Sequence, residues 1–131
     1  MLDIFDEYAT DANAEINGTE FPLGDATLLI ARSGNRKFSK LITQLSERHR
    51  IALAVKGEAS EALDKKLMVE AIADTILLGW TGLGYKGTLL PYTRANAMMV
   101  LEHDDFRASV MKMASEMDAY KVKQETEAGK P

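Results

Sequence analysis

From Asn35 to Leu78 the apolar residues return every third or fourth position in two successive runs, and this period constrains the chain more than any other feature. In the first run Asn35 suits a helix N-cap, and the basic pair Arg36 and Lys37 follows it. Phe38, Leu41, Ile42, Leu45, Ile51 and Ala52 then fall mostly on one helical face. Gly57 punctuates that helix. In the second run Ser60 is placed to cap a helix whose stripe is Leu63, Leu67, Ala71, Ile72, Ile76 and Leu78, ending at Gly79. Asp64, Lys65, Lys66, Glu70 and Asp74 flank that stripe. Two such stripes must be buried against something, so the pattern predicts a helical core.

The flanks add shorter elements. Leu2, Phe5, Tyr8, Ala9 and Ala12 form an apolar stripe near helical period, with Asp3, Asp6 and Glu7 outward. Asn17-Gly18, Pro22 and Gly24 are turn residues around "ATLLIARSG", compatible with a small β-hairpin over 15–32. Pro91 suits the first turn of a third helix carrying Tyr92, Ala95, Met99 and Val100. Asp104 or Asp105 then caps a fourth, in which Phe106, Val110, Met113, Met117 and Tyr120 step at the seam spacing of helices packed side by side. The expectation is a mainly α protein, a compact bundle of about four to five helices with room for that one hairpin. It forms a single domain over 1–121, followed by a flexible tail over 122–131 in which periodicity stops.

Composition narrows the function classes. The 131 residues suit one core, and 46% apolar with 27% charged residues is a globular balance. The net charge of −4 comes from 20 acidic and 16 basic residues mixed along the chain, which provides no broad cationic field for nucleic acid. The absence of cysteine removes disulfides, thiolate metal sites and thiol catalysis. The acidic start "MLDIFDEYATD" lacks the pattern of a secretion signal, and no apolar run reaches the roughly 20 residues of a membrane helix, so a cytoplasmic protein without membrane contact is expected.

Three apparent motifs point to chemistry and are weaker than they look. Gly82, Gly84 and Gly87 match G-x-G-x-x-G, but a dinucleotide loop also needs a strand before it and a helix starting at it. The preceding segment has helical period, so the glycines read as a hinge after a helix, with Trp80, Leu83 and Tyr85 folded back onto the core. "EHDD", Glu102 to Asp105, holds ligand-type side chains that point in different directions, and His49 lies elsewhere; capping and solvation explain them without a metal. Ser60 and Ser109 have no nucleophile-elbow context. No catalytic, cofactor or metal residue is expected, and no enzyme.

The residues that could meet a protein partner form three groups. Leu2, Phe5 and Tyr8 are the apolar side of the first short helix. Trp80, Leu83 and Tyr85 sit on the glycine-rich connector, where an aromatic is either a core anchor or a contact hot spot. Met113, Met117 and Tyr120 end a methionine-rich seam that either fills the core or adapts to a second helix.

The ordering of a short extended region closing in "IARSGNRKF", a long charged helix running into "LLGWTGL", and a helix pair with "FRASVMKMASEMDAY" resembles the tail assembly chaperones of long-tailed, lambda-like bacteriophages. The resemblance implies a non-enzymatic protein of phage morphogenesis or of a prophage, present in the host cytoplasm and absent from the mature virion. It implies binding to the tape measure protein and recruitment of tail tube subunits through a frameshifted longer form, for which Gly129-Lys130 is a compatible site. It also implies a homo-oligomer, a ring or spiral. A small helical adaptor or regulator unrelated to phage is the alternative.

Overall fold

The structure, a computed structural model, describes residues 1–122. Within them seven α-helices combine with a three-stranded and a two-stranded antiparallel sheet, so the fold is mixed α/β and the expectation of a mainly α bundle is overturned. The N-terminal stripe is split into α1 (Ile4–Tyr8) and α2 (Ala12–Asn17), each capped by an aspartate, Asp3 and Asp11. The hairpin follows as β1 (Thr19–Leu23) and β2 (Ala26–Ile30). Leu23 pairs with Ala26 across Gly24-Asp25, with Gly24 at φ 58°, the arrangement of a type II′ turn.

The third strand is where local reading fails. The helix starting at Glu58, α5 (Glu58–Thr75), stops before Ile76 and the chain continues as β3 (Leu77–Thr81), antiparallel to β2. Ile76 and Leu78 therefore leave the helical stripe. The Thr75 hydroxyl bonds back to the Ala71 carbonyl, a contact that competes with helix continuation, and the Ala31 N–H donates to the Ile76 carbonyl at 2.8 Å. An open edge on β2 thus captures an apolar run whose residues satisfy either state. The resulting order is β1-β2-β3.

Before α5 come α3 (Arg36–Arg48) and α4 (Arg50–Ala54), two pieces where one helix was expected, broken at His49. Asn35 does cap α3: its Oδ1 accepts from the Phe38 N–H at 3.0 Å. Ser60 is not a cap; it lies in the first turn of α5 and donates to the Gly57 carbonyl. Leu45, Leu67 and Ala71, with Phe38, Leu41, Ile42, Leu53 and Leu63 around them, make a small core between α3–α4 and one side of α5. The main core lies on its other side, where Leu28 and Ile30 of β2 meet Ile72, Ile76, Leu77 and Trp80. Being apolar on both sides, the second half of α5 is the central helix of the fold.

A ribbon of β4 (Gly84–Tyr85) and β5 (Thr88–Leu89) follows, then α6 (Arg94–Leu101) and α7 (Asp104–Ala114). The α6 cap is Thr93, whose Oγ1 accepts from the Asn96 N–H at 3.0 Å, so Pro91 precedes the helix instead of opening it. His103 occupies the N-cap position of α7, and Asp104 and Asp105 stand in its first turn. The methionine seam is interrupted: α7 ends at Ala114, and Met117–Tyr120 form a separate 3₁₀ turn that returns the chain to β2. Of the expected tail 122–131, only Val122 lies within the described residues.

Candidate partner-binding surfaces

Gly82, Gly84 and Gly87 do follow a strand, contrary to expectation, but the segment then folds into the β4–β5 ribbon and reaches α6 only at Arg94. Lys86 (φ 51°) and Gly87 (φ 83°) are both at positive φ between the paired Tyr85 and Thr88, the backbone of a type I′ hairpin. Gly82, at φ 72°, passes so close to β2 that a Cβ there would lie 3.0 Å from the Asp25 carbonyl oxygen. These glycines serve turn geometry and close packing.

The ribbon leans over the α6–α7 corner and leaves a notch of 180 Å³ lined by Leu83, Gly84, Tyr85, Val100, His103 and Phe106. Its rim is set by one polar contact: Tyr85 Oη and His103 Nε2 lie 2.8 Å apart, and the two rings are 5.6 Å apart at their centroids. The rest of "EHDD" is turned elsewhere. Asp104 pairs with Arg107 at 2.9 Å and with Lys65 at 3.1 Å, and Lys65 also reaches Glu102. The hydrogen bonds from Arg107 and then Lys65 hold the Asp104 carboxyl below its ordinary value.

Of the residues read as partner contacts, Leu83 and Tyr85 share one concavity. Val100, His103 and Phe106 complete it and were missed; their i, i+3 spacing across a helix junction was visible, but nothing local marked them as facing the ribbon. Trp80 is a core anchor, 8% exposed, edge-on to Tyr92 at 4.8 Å, with its indole N–H donating to the Leu90 carbonyl. Tyr120 is fully buried, and Met113 and Met117 are half-buried, with Met113 packed on the main core. These four are not assembled into an exposed face. Leu2, Phe5 and Tyr8, joined by Ile4, are exposed. The arm they form is tethered at its base, where the Val122 N–H donates to the Ala9 carbonyl and the Asp11 N–H to the Tyr120 carbonyl.

"IARSGNRKF" and "LLGWTGL", the segments that carry the phage resemblance, are neighbours in space. Ile30 pairs with Leu77 in the sheet, and Asn35, 4% exposed, donates through Nδ2 to the Arg32 carbonyl and at 3.5 Å to the Thr75 carbonyl. Their residues hold the junction of sheet, α3 and α5.

In a comparison with protein families, the YdaY prophage protein model matches residues 33–130. The chain belongs to the YdaY prophage protein family. The part matched to YdaY begins just before the Asn35 cap and includes α3 to α7, with the whole notch. The arm and the β1–β2 hairpin lie upstream of the YdaY match. Membership establishes a phage-derived protein, coarser than the tail assembly role that the resemblance implies. Neither curated proteins nor solved structures give a match for this YdaY-family chain.

Proposed function

We propose that this prophage protein is a non-enzymatic tail assembly chaperone, acting in the host cytoplasm and absent from the finished virion. It binds the helical tape measure protein and, through a frameshifted longer form, brings tail tube subunits to it. The observation that carries this reading is the notch between the β4–β5 ribbon and the α6–α7 corner. Its 180 Å³ is below the about 300 Å³ at which small-molecule sites begin, and its walls are mainly apolar with one Tyr–His rim. A cavity of that size and lining suits a single apolar side chain projecting from a partner, the geometry of an interface hot spot. A tape measure helix presents such side chains at regular intervals, so many copies, each holding one, coat it by avidity.

Co-expression with overlapping segments of the tape measure protein from the same prophage tests the reading. The tagged chain is expected to retain at least one segment, and Phe106→Ser, which opens the notch, to retain less. A folded chain that retains none overturns the proposal.

A further inference from the structure

The rim of the notch holds a polar atom with hydrogen-bonding capacity to spare, and this atom decides what fills it. Tyr85 Oη and His103 Nε2 lie 2.8 Å apart, and among the described residues no other group bonds to that oxygen. When the tyrosine donates to the imidazole, both lone pairs of its oxygen stay open; when the imidazole donates, one does. The phenol oxygen is thus an open acceptor in either tautomer, and protonation of His103 leaves it so. Tyr85 and His103 both line the notch, with Leu83, Val100 and Phe106 as its apolar walls. An occupant that displaces water from this oxygen must return a donor or leave a desolvated acceptor.

Size and charge narrow the occupant further. Apolar cavities of about 150 Å³ bind benzene, so the 180 Å³ of the notch suits a ring system slightly larger than benzene. The rings of Tyr85, His103 and Phe106 on its walls offer edge and face contacts to another ring. Charge favours neither sign. Lys65 and Arg107 balance Glu102 and Asp104 through the ion pairs at the corner, which leaves Lys86 on the ribbon and Asp105 on α7, one charge of each sign. No net field then offsets the desolvation of a charged side chain. Lys86, 5.8 Å from the Tyr85 ring centre, also takes the cation position on that ring. What remains is a neutral bicycle that donates and does not accept, and among side chains that is the indole of tryptophan. We infer that the notch receives a tryptophan side chain of the partner protein, its indole N–H donating to Tyr85 Oη and its rings against Val100 and Phe106. The inference rests on the notch being the partner-binding site.

The test titrates four probes into the isotope-labelled chain and follows amide chemical shifts. The probes are indole, indene (the same bicycle with a methylene for the N–H), N-acetyltryptophanamide and butylammonium. Indole, indene and N-acetyltryptophanamide should shift Gly84, Tyr85 and His103 saturably, and butylammonium should not. The decisive quantity is the indole-to-indene affinity ratio, which should fall about fivefold from wild type to Tyr85→Phe as the acceptor is lost. A variant whose ribbon had merely shifted would weaken both probes and leave the ratio unchanged. An unchanged ratio, a wild-type chain that binds neither bicycle, indole entering where N-acetyltryptophanamide does not, or butylammonium entering in their place would each overturn the inference. No tape measure segment takes part: retention of such a segment without this selectivity sinks the inference alone, and selectivity without retention sinks only the tape measure reading.

Discussion

The Tyr120 hydroxyl donates to the Ile30 carbonyl at 2.8 Å across 90 positions of sequence, in a fully buried site. The same ring packs tilted against Phe21 at 6.1 Å, so one side chain closes the C-terminal turn over both strands of the hairpin. Tyr120→Phe keeps the packing and leaves a buried acceptor short of a donor, at a cost of about 1–3 kcal/mol. Tyr120→Ala also opens a cavity and should cost about 3–5 kcal/mol. Urea unfolding of both variants measures the two effects, and equal losses would show that the hydroxyl contributes nothing.

The same tyrosine gives a pH dependence. Burial raises the Tyr120 phenol well above its ordinary value of 10.0, with Arg32 opposing, and burial followed by Asp74 raises Tyr92. A raised pKa means that the folded state favours the protonated form. Stability from these groups is therefore complete below pH 10 and falls as pH rises beyond it, when the unfolded chain ionises first. Denaturation midpoints between pH 8 and 11 should decline only in the upper part of that range, and less steeply in Tyr120→Phe.

Asn35 stands at the junction of α3 and α5, and its side chain serves both as cap and as donor. Asn35→Ala should lose about 1–2 kcal/mol, the upper range for a cap, because buried carbonyls also lose their donor. Asn35→Asp keeps the cap acceptor but sets a carboxylate oxygen against the Arg32 and Thr75 carbonyls in a buried site, so its thermal midpoint should fall no higher than that of Asn35→Ala.

The glycine segment gives a paired test. Gly82→Ala introduces a side chain at positive φ and within 3.0 Å of the Asp25 carbonyl, whereas Gly24→Ala meets nothing within 4 Å at a similar φ. Both should pay the left-handed penalty of about 1–2 kcal/mol, and Gly82→Ala should be the more destabilised because β2 must also shift. Lys86→Asn suits the type I′ turn better than lysine and should stabilise by a few tenths of a kcal/mol, up to about 1.

Deleting residues 1–8 should leave the unfolding midpoint nearly unchanged, within about 0.5 kcal/mol, because the apolar side chains of the arm are exposed and support no core contact. A large loss would show that the arm packs on its own chain.

Features in which one local energy dominates are legible in the sequence. The N-cap at Asn35 needs only a side chain within three residues of the backbone N–H it satisfies, and the Gly24 turn needs only a residue tolerant of positive φ. The stripes of α3 and α5 were legible for the same reason, because each face repeats within its own helix. The notch was half legible: Leu83 and Tyr85 stood out as aromatic and apolar residues on a bent connector, while His103 and Phe106 had no local sign of facing them.

By itself the sequence determined the Asn35 cap, the Gly24 turn and that an apolar core forms, since those depend on residues within a turn or two of one another. Tertiary structure alone decided that "LLGWT" is a strand, that Trp80 and Tyr120 are core, and that the arm stays outside. An apolar run such as Ile76 to Leu78 gains nearly the same burial free energy in a helix or a strand. The choice passes to the partner that satisfies its backbone, and that partner, β2, lies some fifty residues earlier in the chain.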